Sequence, residues 1–188
     1  METVHAPGPG VIGIGVDPQV GIGQRALLGE GERRLPALGV RSIAGRGLAE
    51  FSKALGGLRA LAVSHRHFHT VMVDWGHTFN YSVRIHADNR PWVMRPGSHV
   101  QFWTGESTEL ARGMTWFRCG GHFPGSAALH HDREGGGLFT GDTFHVNPDR
   151  CTVGLMYVSL IASSVSAATV RQVVRAVERF EICPIYRQ

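Results

Sequence analysis

A chain of 188 residues with 43% hydrophobic content and no long charge run is sized for one globular domain that buries a full two-layer core. Its formal charge of +4 comes mostly from scattered arginines, without the Lys/Arg clusters and interleaved aromatics of a phosphate-tracking groove, so no nucleic-acid partner is expected. Cys119, Cys151 and Cys183 cannot all pair within one chain and none sits in a CxxC; with no basic, apolar leader at the amino end, a reducing, cytoplasmic setting is expected.

The first ten residues are rich in Pro and Gly and predict a disordered lead-in, leaving 11–188 as a single domain. From Val11 to Leu28, small and apolar residues alternate around a DP turn, which predicts two short strands. Residues 29–47 show neither the helical nor the strand period. Leu48, Phe51 and Leu55 then fall at helical spacing, Gly56 and Gly57 stop the helix, and LRALAVS follows as a buried strand. TVMVDWGHTF reads as a short helix, YSVRIHA as a strand, and ADNRPWVMRP as a further helix stopped by Pro96. HVQFW, STEL, MTWFRCG, SAALHH and GLFTGD are short strand-type runs between turns, predicting a meandering sheet. Residues 152–170 carry no charge and approach the ~20 residues of a bilayer span, but serines, threonines and a glycine dilute them, so no membrane segment is expected. Val170, Val173, Val174 and Val177 then share the face of a last helix, and EICPIY ends the chain as a strand. Mixed βαβα followed by antiparallel strands favours helices outside a pair of sheets over a bundle.

The chemistry-bearing residues are histidines. SHRHFHT at 64–70 follows an apolar strand, and in an extended segment His65, His67 and His69 project from one face. Converging neutral imidazoles suit zinc, iron or nickel. CGGHFPGS at 119–126 adds His122 in a Gly-rich turn, and FTGDTFH at 139–145 adds Asp142 at the end of a strand.

The order HxH after a strand, then GHxPGS, then LFTGDT resembles the metallo-β-lactamase superfamily of metal-dependent hydrolases. Here it is carried by His65 and His67, by Gly121 to Ser126 and by Leu138 to Thr143, with ~55 and ~20 residues between motifs. Longer segments, IGIGxxPxxGIGQRALL, SHxHxxxxMVxW, IHAxxRxWVMRP, GGHFPGSxxLH and FTGDxxxVxPDR, look like an uncharacterised bacterial branch of it. The resemblance implies an α+β fold, the αββα sandwich of two mixed sheets with helices on the outer faces. It implies a first metal site of His65, His67 and His122, with Asp142 beside it as ligand or catalytic base. It also implies zinc, with iron as the alternative ion, and metal-activated water acting on a small ester, thioester or amide. A binding protein without catalysis and an iron-binding redox protein are the rival readings.

The pattern departs from the family at HxHxDH, where this chain has His69 and Thr70, and EICPIYRQ holds no late histidine. One ion is therefore expected, with His69 a candidate for a second. His145, three residues past Asp142, and His86, at a strand end, are candidates for supporting positions. His77 and His99 read as surface, and only one of the adjacent His130 and His131 can face a given site. A homo-oligomer is left open.

Overall fold

The computed structural model describes residues 2–8, 10–16, 26–29, 35–38, 46–133, 136–149, 152–155, 165–182 and 185–186. Seven strands form the first sheet in chain order: β1 (Glu2–Gly8), β2 (Val11–Val16), β3 (Ala26–Gly29), β4 (Leu35–Leu38), β5 (Leu58–Ala62), β6 (Ser82–His86) and β7 (Val100–Trp103). The first four pair antiparallel, and from β4 to β7 every pairing is parallel. The change follows from the connections, since parallel neighbours need a crossover long enough to return the chain to the same edge. Helix α1 (Arg46–Ala54) makes that return between β4 and β5, and α2 (Met72–Phe79) between β5 and β6.

The second sheet holds β8 (Ser107–Ala111), β9 (Met114–Arg118), β10 (Ala127–His131) and β11 (Gly137–Phe139) as an antiparallel meander. The last strand of the chain, Ile185–Tyr186, pairs parallel with β11. A separate pair, β12 (Phe144–Val146) and β13 (Val153–Leu155), follows Asp142, and α3 (Ala167–Val177) covers the second sheet.

Alternating side chains on each strand build three layers of core. Leu28 and Leu61 face α2 with Met72 and Trp75, while Leu27, Ala60 and Ala62 face the other sheet. There they meet Trp116, Ala127 and Leu129, whose neighbours Phe117 and Ala128 point out to Val177 and Phe180 beneath α3. A strand buried on both faces reads as a continuous apolar run, which is why LRALAV and SAAL show no polar alternation. The αββα sandwich is thus the observed fold.

Several local expectations change. Residues 2–8 are a paired edge strand and not a loose lead-in, because β2 offers them a free edge to bond to. ADNRPW is a 3₁₀ turn over Ala87–Trp92 and ends well before Pro96, with Pro91 inside it. HVQFW joins the first sheet beside β6 instead of the meander. The unreadable 29–47 region contains β4, whose register against β5 shifts between Leu35 and Ala37, at Pro36, where no N–H is available for a ladder bond. On α3 only Val173 is fully buried, and Val174, a hundred degrees further round the helix, is 49% exposed. Residues 153–155 are strand, residues 156–164 of the uncharged stretch lie outside the described residues, and among the described residues no helix is long and apolar enough to cross a membrane.

Candidate metal centre

Three loops at one end of the sandwich meet. The first leaves β5 and brings His65 in an extended conformation, with φ −162° and ψ 175°. The chain then closes into a 3₁₀ turn over Arg66–Phe68, where Phe68 N–H donates to the His65 carbonyl and His69 N–H to that of Arg66. The expected extended run of three same-facing imidazoles therefore does not form. His67 stays beside His65, with ring centroids 4.9 Å apart, while His69 turns away and its Nδ1 lies 3.3 Å from the Trp92 carbonyl oxygen.

The second loop, 119–126, is closed by its own hydrogen bonds. Cys119 and Gly120 N–H both donate to the Ser126 carbonyl, at 3.0 and 2.9 Å, and Phe123 N–H donates to Ser126 Oγ at 2.9 Å. Gly121, at φ 83°, is required here for space as well as conformation, since a Cβ would stand 2.8 Å from Val173 Cγ2. Asn89, fully buried, donates from Nδ2 to the Gly125 carbonyl at 2.7 Å and ties this loop to the 3₁₀ turn after β6. The Ala127 N–H donates to the Ser64 carbonyl, so the loop's exit is bonded to the residue that precedes His65.

The third loop follows β11. Gly141 has φ 55°, and a Cβ there would stand 2.6 Å from Ser64 Oγ. That close approach delivers Asp142, whose Oδ2 lies 3.3 Å from His65 Nε2. Ser64 Oγ is 3.0 Å from His65 Nδ1, which fixes the ring and leaves its Nε2 facing the cluster.

One ligand-type atom from each of His65, His67, His122 and Asp142 lies within 4.8 Å of the others. His122 stands 4.9 Å from His65 and 5.3 Å from His67 between ring centroids. His65 and Asp142 are buried, His122 is half-buried and His67 exposed, so the cluster opens to solvent on the His67 side. Burial, and after it the neighbouring His65, pushes the His122 imidazole down to about 4. His67 is lowered by the same causes, with Asp142 opposing and Arg66 adding to the effect. Both are neutral near pH 7, the state that can donate a nitrogen lone pair to a cation.

The donor set fits a metal. Among the described residues Nε2 of His65 and of His122 are buried without a hydrogen bond, although Asp142 Oδ2 approaches the first to 3.3 Å, and such burial is costly unless something else occupies the lone pairs. A tetrahedral set with 2.0–2.1 Å bonds has edges of about 3.4 Å. The cluster's span of up to 4.8 Å is wider than that edge, and His67, the exposed member, is the side chain with freedom to move inward.

The other histidines are engaged elsewhere. His86 Nδ1 accepts from Asp88 N–H and its Nε2 lies 3.2 Å from the Gly105 carbonyl, so both ring nitrogens are used in holding a turn. His145 lies on β12, half-buried and outside the cluster. His130 Nε2 lies 3.0 Å from the Glu181 carbonyl and its ring stacks on Phe180. Sequence reasoning missed Ser64 and Asn89, whose roles arise only from contacts distant in the chain, and Arg66, whose guanidinium lies 3.9 Å over the Phe123 ring at the mouth.

No family model matches the chain. Over 106 residues it is 43% identical to the uncharacterized protein YmaE of Bacillus subtilis (strain 168), a stretch amounting to 55% of this chain and 39% of that protein. The match thus spans less than half the length of that curated relative. Among solved structures, FIM-1 metallo-β-lactamase from Pseudomonas aeruginosa in its mono-zinc form superposes with a TM-score of 0.73 at 18% identity, covering 99% of this chain and 86% of that one. DIM-1 metallo-β-lactamase superposes at 0.69 with 11% identity over 99% and 88% of the two chains. SMB-1 metallo-β-lactamase, in complex with mercaptoacetic acid, gives 0.64 at 15% over 95% and 76%.

Proposed function

The chain carries the metallo-β-lactamase fold, and on that premise we propose that it is a metal-dependent hydrolase, with zinc, that attacks a small ester, thioester or amide with water. The observation behind this reading is the meeting of His65, His67, His122 and Asp142, with two buried imidazole nitrogens that make no hydrogen bond among the described residues. Zinc held there would make water acidic enough to act as a nucleophile near neutral pH and would polarise a substrate carbonyl.

In this reading the protein's own groups divide the work. His65, His67 and His122 would hold the ion through ring nitrogens, and Ser64 keeps the His65 ring turned so that Nε2 faces the cluster. Asp142 would complete the set through its carboxylate, and beside three imidazoles it is also the group to accept the proton of the attacking water. Phe123, with ring centroids 4.2 Å from His122 and 5.1 Å from His67, forms an apolar wall that limits water at the mouth. Among the described residues His69, turned to the Trp92 carbonyl, and Thr70 beside it join no second cluster, which supports a reading with one ion. Buried Cys119 is a free thiol, in keeping with a cytoplasmic setting.

The missing second set also favours one rival, a member that holds an ion or ligand without catalysis. Elemental analysis of protein purified without added metal, combined with assays on small esters, thioesters and amides, tests the proposal. One zinc per chain with turnover abolished by chelation supports it. One zinc without turnover on any of the three supports the non-catalytic reading, and iron with oxygen-dependent chemistry would make the protein a redox member of the fold.

A further inference from the structure

A second polar concavity, lined by none of the imidazoles, lies between the end of β9 and α3. It is a cavity of about 430 Å³ lined by Glu106, Arg118, Arg171, Gln172, Arg175 and Arg179. Arg171 and Arg175 lie one turn apart on the same face of α3, about 6 Å along its axis, and Arg179 follows in the turn just past its C-cap, Glu178. A row of exposed arginines is ordinarily a solvated face, but here the row closes over the end of β9 and two of the four guanidinium groups are held in place. Arg118 Nε donates to Asp88 Oδ2 at 2.8 Å and to the Pro124 carbonyl at 3.1 Å, and Arg179 rests 4.8 Å from the Phe180 ring centroid and 5.5 Å from that of Phe117.

The charges in the lining do not balance. Four guanidinium groups face one carboxylate, Glu106, whose Oε1 is 3.9 Å from Arg118 Nη1. Among the described residues no carboxylate pairs with Arg171, Arg175 or Arg179. Like charges around one cavity repel unless an anion enters, and guanidinium forks match phosphate oxygens in pairs. With Asp88 also paired to Arg118, an excess of two positive charges remains, spread over the three guanidinium groups of Arg171, Arg175 and Arg179; that arrangement suits two linked phosphates, and the volume lies in the small-ligand range of roughly 300–1,000 Å³.

We propose that this cavity binds a small ligand bearing a diphosphate group, at a site separate from the imidazole cluster. The test is a titration of the full chain with inorganic pyrophosphate and with ADP, followed by backbone amide shifts. Saturable shifts on α3 and around Glu106 and Arg118, weakened by added salt, are expected. The double variant Arg171→Gln, Arg175→Gln should lose about tenfold or more in affinity with an unchanged thermal midpoint. The charge-matched Lys53→Gln, Arg59→Gln, on exposed positions elsewhere, should not. Tighter binding of ADP supports a nucleotide as the source of the diphosphate, and equal or tighter binding of pyrophosphate supports the free anion. Shifts that never saturate, an equal loss in both double variants, or shifts confined to residues 65–67 and 122 would each overturn the proposal.

Discussion

At the scale of single residues, the cluster separates groups that would hold an ion from groups that aim them. Replacing His122 by Ala leaves two imidazoles and a carboxylate, and we expect loss of stoichiometric zinc, read by elemental analysis after dialysis; retention of one zinc per chain would remove His122 from the site. Ser64→Ala keeps every donor but frees the His65 ring at Nδ1, and outer partners of this kind are worth roughly 10–100-fold in metal affinity. A chelator competition measures it, and an unchanged affinity would mean that packing alone orients the ring. These two outcomes differ because the residues were visible in different ways: His122 is announced by GHFPGS, whereas nothing around Ser64 in the chain marks it as a partner of its neighbour's ring.

Elements set how near the three loops come. Gly141 combines a left-handed φ of 55° with a position where a Cβ would stand 2.6 Å from Ser64 Oγ. Gly141→Ala should therefore cost about 2 kcal/mol or more in urea unfolding and weaken zinc binding with it, because backbone strain and a steric clash act on the same turn. Asn89→Ala leaves the buried Gly125 carbonyl without its donor, for an expected loss of about 1–3 kcal/mol by the same measurement. Periodicity located most of these elements: the helix stopped at Gly56, the LRALAV strand and the meander from β8 to β11 stand where the pattern places them, whereas HVQFW went to the first sheet. It failed where a competing constraint acted over a few residues. Pro36 disguises a strand of only four residues, and His65 to His69 alternate like a strand but close into a 3₁₀ turn.

For the whole molecule, the buried histidines link folding to pH. His122 and His131 are pushed below the ordinary histidine value, chiefly by burial, and His67 and His69 likewise. Such groups bind protons more tightly in the unfolded chain, so their stabilising effect is complete above about pH 6.5 and is lost as pH falls towards the folded values, about 4 for His122. Metal-free protein should thus show a lower urea midpoint at pH 5 than at pH 7.5, and His131→Gln should remove part of the difference. A midpoint that does not move between these pH values would mean that the four rings are protonated in the fold.

Residue type and order along the chain were enough to single out the candidate side chains and to place helices outside two sheets, because strand and helix periods are local and the HxH, GHxPGS and FTGDT motifs are contiguous. Only tertiary structure decided that His122 arrives beside His65 and His67, that His69 does not, and that Ser64 and Asn89 brace the loops. Those outcomes depend on how closely Gly141 and Gly121 let distant backbones approach and on which carbonyl each imidazole finds, and contacts between segments tens of residues apart leave no period in the sequence.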